Sequence, residues 1–439
     1  MSYQHCLSNK KIILNKNIFF LVFFLFFYLY GVNFSFLPIY SSRVIVFIGL
    51  AYLLFLSVKQ RDLKVPSDFL AVIFVYGLCL LWFFFRAALF DLKDLSSLSS
   101  LILLLFHSFF GGLFFAVLFS KMKLSFRQVV FLVQIVITIQ AFFVVLYFIS
   151  WDFRELTFAY IPEAGNIDHR KNLFRSRGLQ HGSSATLSLI QSMGLLFTAY
   201  LVSTGRLRGM QIFYLLSSFG LIFLSIFLTG RTGLLMLPVV FTYLFFVFFK
   251  KRNINKNTIF FVFSLPVAVI LLFILLRLGY QYILGGFSTE WGEDGFDRLV
   301  RWVVGEFFSS DGKVQARTMQ ILSSHWFLPE TWSMFLFGDP TTWSLNRIPS
   351  DIGFVRILHS SGLIGMLLFY LLFFIVFLVL VIKTRCNDAK YMLVSLAAFL
   401  FILEAKEPFL INLRVNSFIL LLFCYVVITS AGRKSVSYA

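Results

Sequence analysis

The sequence predicts an all-α polytopic membrane protein, with about 12 transmembrane helices by the length rule for spans and two large loops on one side. Three observations carry this. Hydrophobic residues make up 59% of the 439 positions and charged residues only 13%, against about half and about a quarter in soluble domains; mean hydropathy is +0.88. Apolar runs recur at the roughly 20 residues that a helix needs to cross a hydrocarbon core of about 30 Å. Basic residues crowd alternate connecting segments.

On the length rule the spans fall at 18–36, 42–58, 68–86, 98–119, 128–149, 184–202, 211–228, 232–249, 258–276, 355–382, 391–404 and 416–430. The run at 18–36 exceeds the core of a signal peptide, about 7–15 residues, and no small-residue cleavage pattern follows, so it reads as an uncleaved first span. The tenth span is longer than one crossing needs. Its first turns read as an amphipathic lead-in at the surface.

The charges set an orientation. With the N-terminus inside, twenty Lys and Arg fall on inner segments, from Lys10, Lys11 and Lys16 to Arg433 and Lys434. The short outer segments hold six: Arg43, Arg86, Lys93, Arg231, Lys406 and Arg414. Lys and Arg favour the cytoplasmic side, so both termini are expected there. That placement explains the net charge of +18 without nucleic acid, for which no basic base-stacking module is present. Cys6, Cys79, Cys386 and Cys424 fall in no outer loop and form no CxxC, so neither a disulfide nor a thiolate metal site is expected.

Two outer segments are long, 150–183 and 277–354, and hold most of the acidic residues. Long structureless-looking segments in compact proteins are usually functional. In the second, Phe296, Leu299, Val300, Val303, Val304 and Phe307 recur at helical steps, an amphipathic helix suited to a membrane surface. Five of the seven tryptophans lie in it, either as interfacial anchors or as stacking platforms for sugar rings.

Ionisable residues inside spans are costly and mark function. His107 is the main mid-span exception, and hydrogen-bonded packing is its simpler reading. The spans carry no acidic residue of the kind a proton-coupled pump uses. At the outer edge, Arg231 sits in the turn Leu228-Thr229-Gly230-Arg231-Thr232-Gly233. It is either a snorkelling arginine or a fixed fork for a diphosphate. Arg170, Lys171, Arg175, Arg177 and His181 precede the sixth span on the side where basic residues are disfavoured. An anionic ligand or the bilayer's own phosphates would explain them.

Four elements together resemble the O-antigen polymerase and ligase superfamily, with the Wzy-type polymerases closer. They are Leu228–Leu235, an arginine (Arg317) in the long outer loop, Leu336-Phe337-Gly338-Asp339, and Gly362-Leu363-Ile364-Gly365 opening a span. In the ligases a His lies eleven residues before the first Gly of the last element; here Asp351 holds that place, followed by Gly353 and Phe354 as in polymerases. His359 is near but at another spacing.

The resemblance implies a glycosyltransferase of the bacterial inner membrane, with both large loops periplasmic. Its substrates would be undecaprenyl-diphosphate-linked oligosaccharides. It would transfer the growing glycan onto a newly delivered lipid-linked repeat unit and release undecaprenyl diphosphate, with no metal, nucleotide or other cofactor. Arg177, Arg231 and Arg317 would hold diphosphate, with Arg175 assisting. Asp351 would act as base or position the acceptor, with His359 and Glu163 behind it. Partners would be the lipid-linked glycans and membrane lipids; a chain-length regulator protein is left open. An O-antigen ligase and a lipid-linked oligosaccharide flippase are the alternatives. The product, O-antigen or capsule, and its sugars are not specified.

Overall fold

The computed structural model describes residues 16–59, 66–90, 96–161, 177–180, 184–204, 209–250, 323–339 and 348–434. Its elements are α1 (Lys16–Tyr30), α2 (Ser41–Lys59), α3 (Ser67–Leu89), α4 (Ser96–Leu103), a π-type turn (Leu104–Phe109), α5 (Phe110–Lys121), α6 (Phe126–Ile149), α7 (Trp151–Tyr160), α8 (Ser184–Thr204) and α9 (Gly209–Thr229). A 3-10 turn (Arg231–Leu235) leads into α10 (Met236–Lys250). Then come α11 (Trp332–Phe337), α12 (Gly353–Lys383), α13 (Asn387–Leu403), a 3-10 turn (Phe409–Ile411) and α14 (Leu413–Lys434).

The protein is a multi-pass helical membrane protein. Among the described residues, nine helices are long and apolar enough to cross a membrane. Nine expected spans coincide with them. The first falls on a shorter apolar helix, Ile18–Tyr30, and the eleventh on the 17 residues of α13. The ninth, 258–276, lies outside the described residues, as does the amphipathic pattern at 296–307.

The chain divides into two compact units. The first comprises 1–32, 37–129 and 322–439, the second 33–36 and 130–321. In the first, α14 packs on α5 and on the π-type turn, and α3 packs on α12. The π-type turn departs from the regular helical ladder, and its groups find partners on other helices. The Ser108 carbonyl accepts from the Tyr28 hydroxyl at 2.9 Å, and Ser108 Oγ donates to the Leu413 carbonyl at 2.9 Å. His107 stacks on the Tyr28 ring, with Nδ1 3.3 Å from Ser417 Oγ. That is the packing role expected for it.

Helices α3 and α12 run antiparallel and are joined at both ends. Lys383 Nζ meets Asp68 Oδ2 at 2.9 Å at one end, and Arg86 donates to the Ser360 carbonyl at the other. The 18 residues from Asp68 to Arg86 rise about 27 Å, close to the thickness of a hydrocarbon core.

Helix α12 is broken at Gly362, whose φ of 68° and ψ of 176° are non-helical. The break separates the lead-in, 353–361, from the long apolar helix. The lead-in differs from its surface expectation: Val355, Ile357, Leu358, Ser360 and Ser361 are buried within the first unit. Their apolar face is covered by protein, because the segment before α11 and the stretch after α13 fold over it.

In the second unit α8 is the central helix and is almost wholly buried. It packs on α9, α10 and the 3-10 turn at Arg231–Leu235. The long segment 150–183 opens with helix α7. Ser150 caps it by accepting from the Phe153 N–H at 3.2 Å. Arg154 turns back onto the end of α6, donating to the Tyr147 and Phe148 carbonyls that a helix C-terminus leaves unpaired.

Gly362 occupies the left-handed region, and a Cβ there would overlap the Leu336 carbonyl. Gly362→Ala is expected to lower the thermal unfolding midpoint of purified protein strongly, since the backbone strain alone costs about 1 kcal/mol or more. Gly77→Ala, inside α3 with nothing near its Cβ position, should leave the midpoint unchanged or raise it.

Candidate active site

The break in α12 leaves carbonyls without intrahelical partners, a costly condition inside an apolar protein. Three successive ones are met from elsewhere in the first unit. The His359 carbonyl accepts from the Asp339 N–H at 2.7 Å. The Ser360 carbonyl accepts from Arg86 Nη1. The Ser361 carbonyl accepts from Trp82 Nε1 at 2.9 Å. Arg86 also donates through Nη2 to the Asp339 carbonyl at 2.6 Å, and the Trp82 ring stacks on Phe337. So the segment Leu336–Asp339 is clamped against Gly362–Gly365, and two short sequence motifs 23 residues apart become one structure. Arg86, expected on a short outer segment, instead lies in the last turn of α3 with no exposure. A guanidinium suits this role because its planar fork reaches two carbonyls at once.

Asp351 lies just before the lead-in, and its side chain is 61% exposed. Its carboxylate meets Arg356 Nη2 at 3.3 Å. Its backbone N–H donates to His325 Nδ1 at 3.0 Å. That bond needs a lone pair on Nδ1, so the neutral ring carries its proton on Nε2. A ring in that state forms no ion pair with Asp351 Oδ2, 3.9 Å away; Arg356 is the charge partner. His359 is half-buried, with Nε2 3.4 Å from the Phe327 carbonyl and its ring edge-on to Phe327. The stretch His325–Phe327 therefore touches both sequence-predicted residues, one at each end.

Glu407 adds a second carboxyl to this region. Burial pushes its pKa above the ordinary 4.5, with the Asp351 charge acting in the same direction and Lys406 and Arg356 opposing. Two carboxyls in unlike environments, one exposed beside arginine and one half-buried, are an arrangement that suits acid and base roles. Glu404 lies behind them with no exposure. It accepts from the Tyr370 hydroxyl at 3.0 Å and from the Leu410 N–H, while its carbonyl accepts from the Gly353 N–H at 2.8 Å. Glu404 is the last residue of the eleventh expected span, and the bonds it makes are those of a structural group. Its bonds tie together the start of α12, the end of α13 and the 3-10 turn after it.

In the second unit Arg177 is buried, with Cζ 5.6 Å from the Phe158 ring centroid. Its carbonyl accepts from Gln140 Nε2 at 2.9 Å and from the Gln180 N–H at 3.1 Å. Gly178 makes that approach to α6 feasible: its φ is +57°, and a Cβ would sit 2.9 Å from Gln140 Nε2. The Gly230–Gly233 turn is held on α8 by Ser188, whose Oγ donates to the Gly230 carbonyl and accepts from the Gly233 N–H at 2.9 Å. The backbone of Arg231 is thereby placed, while its side chain lies outside the description. Glu163, Arg175 and Arg317 also lie outside the described residues.

Sequence reasoning missed Arg86, His325, Glu404 and Glu407. Glu407 and Lys406 stood together in a short segment, and only Lys406 was weighed, for topology. No protein-family model matches the chain, and no curated protein matches it significantly.

A carboxyl with a raised pKa binds its proton more tightly in the folded protein than in the unfolded chain. Stability therefore falls as pH rises from about 4.5 through the raised value, and Glu407→Gln removes that fall. Thermal unfolding should show the variant matching the native protein at acid pH and exceeding it at alkaline pH.

Proposed function

We propose that this protein polymerises undecaprenyl-diphosphate-linked oligosaccharide repeat units at the periplasmic face of a bacterial inner membrane, as a glycosyltransferase. The observation that carries the reading is the joining of the Leu336–Asp339 and Gly362–Gly365 motifs by Arg86 and Trp82. It gives two short resemblances a shared structural purpose. The reading is supported further by Asp351 and Glu407 in the first unit, either of which is a carboxyl group able to take a proton. The excess of basic residues on one set of segments supports cytoplasmic termini.

In the proposed reaction the acceptor sugar's hydroxyl oxygen attacks the anomeric carbon of the growing glycan. The bond from that carbon to the diphosphate oxygen breaks, and undecaprenyl diphosphate departs with the electron pair. The hydroxyl proton passes to a carboxylate, with Asp351 the first candidate and Glu407 beside it. A positioned base contributes about 10²–10⁴-fold. Charge gathering on the departing diphosphate suits arginine, and Arg177, Arg231, Arg317 and Arg175 are the candidates. His359 and Glu163 remain secondary candidates for the base. Asp351, where the ligases carry His, favours a polymerase over a ligase.

Deletion of the gene in its host, with surface lipopolysaccharide resolved on a gel, tests the reading. A polymerase leaves core bearing a single repeat unit and no ladder. Long polymer held on undecaprenyl diphosphate would indicate a ligase instead, and single units trapped inside a flippase. In a complemented strain Asp351→Asn should reduce the ladder about 100-fold or more at unchanged protein level; a normal ladder removes Asp351 from the mechanism. Arg231→Lys should also impair polymerisation, because an ammonium cannot reproduce the bidentate fork.

A further inference from the structure

Asp351 and His325 together present an acceptor and a donor that the described residues leave open. Asp351 Oδ1 takes Arg356 Nη2 at 3.3 Å, while Oδ2 accepts no hydrogen bond among the described residues. His325 uses the lone pair of Nδ1 to accept the Asp351 N–H, so its proton sits on Nε2, which likewise meets no partner among the described residues. Both side chains reach the surface, Asp351 at 61% exposure and His325 at 26%. Nδ1 stands 3.9 Å from Oδ2, and Nε2 is one ring carbon beyond Nδ1.

The His325 ring is held in place. Its carbonyl accepts from Ser350 Oγ at 2.9 Å and its ring accepts the Asp351 N–H at 3.0 Å. Two residues on, the Phe327 carbonyl lies 3.4 Å from His359 Nε2. The segment is thus bonded to the residues before the lead-in and to the lead-in itself. A donor fixed in this way costs little ordering when a ligand arrives. The same tautomer excludes His325 as the base, since Nε2 has no lone pair and that of Nδ1 is occupied.

We propose that His325 is an acceptor-binding residue, whose Nε2–H donates to a sugar hydroxyl adjacent to the one that Asp351 deprotonates; this rests on the function proposed above. Sugars carry hydroxyls on neighbouring ring carbons, and each is both donor and acceptor. One gives its hydrogen to Asp351 Oδ2, and the next accepts from His325. The Asp351 carboxylate disfavours a phosphate at this place, and the Arg356 charge disfavours a cation. A site that hydrogen-bonds a particular hydroxyl rejects analogues lacking it, so His325 would help select the acceptor.

Polymer formation is measured with the full chain in lipid nanodiscs, over a range of concentrations of the undecaprenyl-diphosphate-linked repeat unit extracted from the deletion strain. Asparagine at 325 offers an oxygen near the Nδ1 position and no donor near Nε2; glutamine offers a donor near Nε2 and no acceptor near Nδ1. His325→Asn should raise KM about threefold to tenfold, the worth of one hydrogen bond. His325→Gln should recover most of that rise. His325→Phe takes the place of the asparagine variant if that one does not fold, since it fills the ring's volume and, like glutamine, lacks the Nδ1 acceptor. The reverse order, with glutamine the more impaired, overturns the inference in favour of a structural role in holding the Asp351 N–H. Equal KM values in the two variants overturn it as well. A native protein that forms no polymer from the repeat unit overturns the proposed function itself, and this inference with it.

Discussion

A guanidinium without solvent exposure stands where helix α12 breaks. Arg86 donates to the Ser360 and Asp339 carbonyls, and Trp82 and the Asp339 N–H take the two neighbouring carbonyls. In a bilayer, irregular backbone persists only where protein or a water-lined cavity satisfies it. The lead-in 353–361 can therefore depart from the long helix only because these three donors arrive together. Asp351 and His359 flank or lie on that lead-in, so their positions depend on the same clamp.

The lead-in is also fixed at its other end. The Glu404 carbonyl accepts the N–H groups of Gly353 and Phe354, and the Glu404 carboxylate takes Tyr370 and the Leu410 N–H. A short helix held at both ends carries Arg356 and, through the Arg356–Asp351 ion pair, holds Asp351 at its start. Catalytic groups benefit from such support because loose placement forfeits most of the gain from orientation. The same bonds explain Glu404 without proton transport, as a knot joining the start of α12 to the end of α13.

The second unit solves a different problem. Its central helix α8 is almost wholly enclosed, yet carries Ser188, Gln191, Ser192 and Thr198. Some of these close on neighbours: Ser188 holds the Gly230–Gly233 turn, and Thr198 takes Gln134. Ser192 donates to the Leu189 carbonyl at 2.7 Å, and the Gln191 amide, like that of Gln180, meets no hydrogen-bond partner among the described residues.

The sequence by itself determined the class and most of the spans. Length and hydropathy suffice for that, because a bilayer of fixed thickness imposes one ruler on every crossing helix. It also marked the short motifs around Asp339, Gly362 and Arg231, where glycine and charge interrupt apolar runs. It assigned Arg86 to a surface segment and passed over His325 and Glu407, because a lone charge at a span's edge looks the same whether it faces water or a carbonyl. Only tertiary structure decided that. The partners of Arg86 lie 253 and 274 residues away along the chain, and no local pattern in hydropathy or charge encodes a hydrogen bond over that separation.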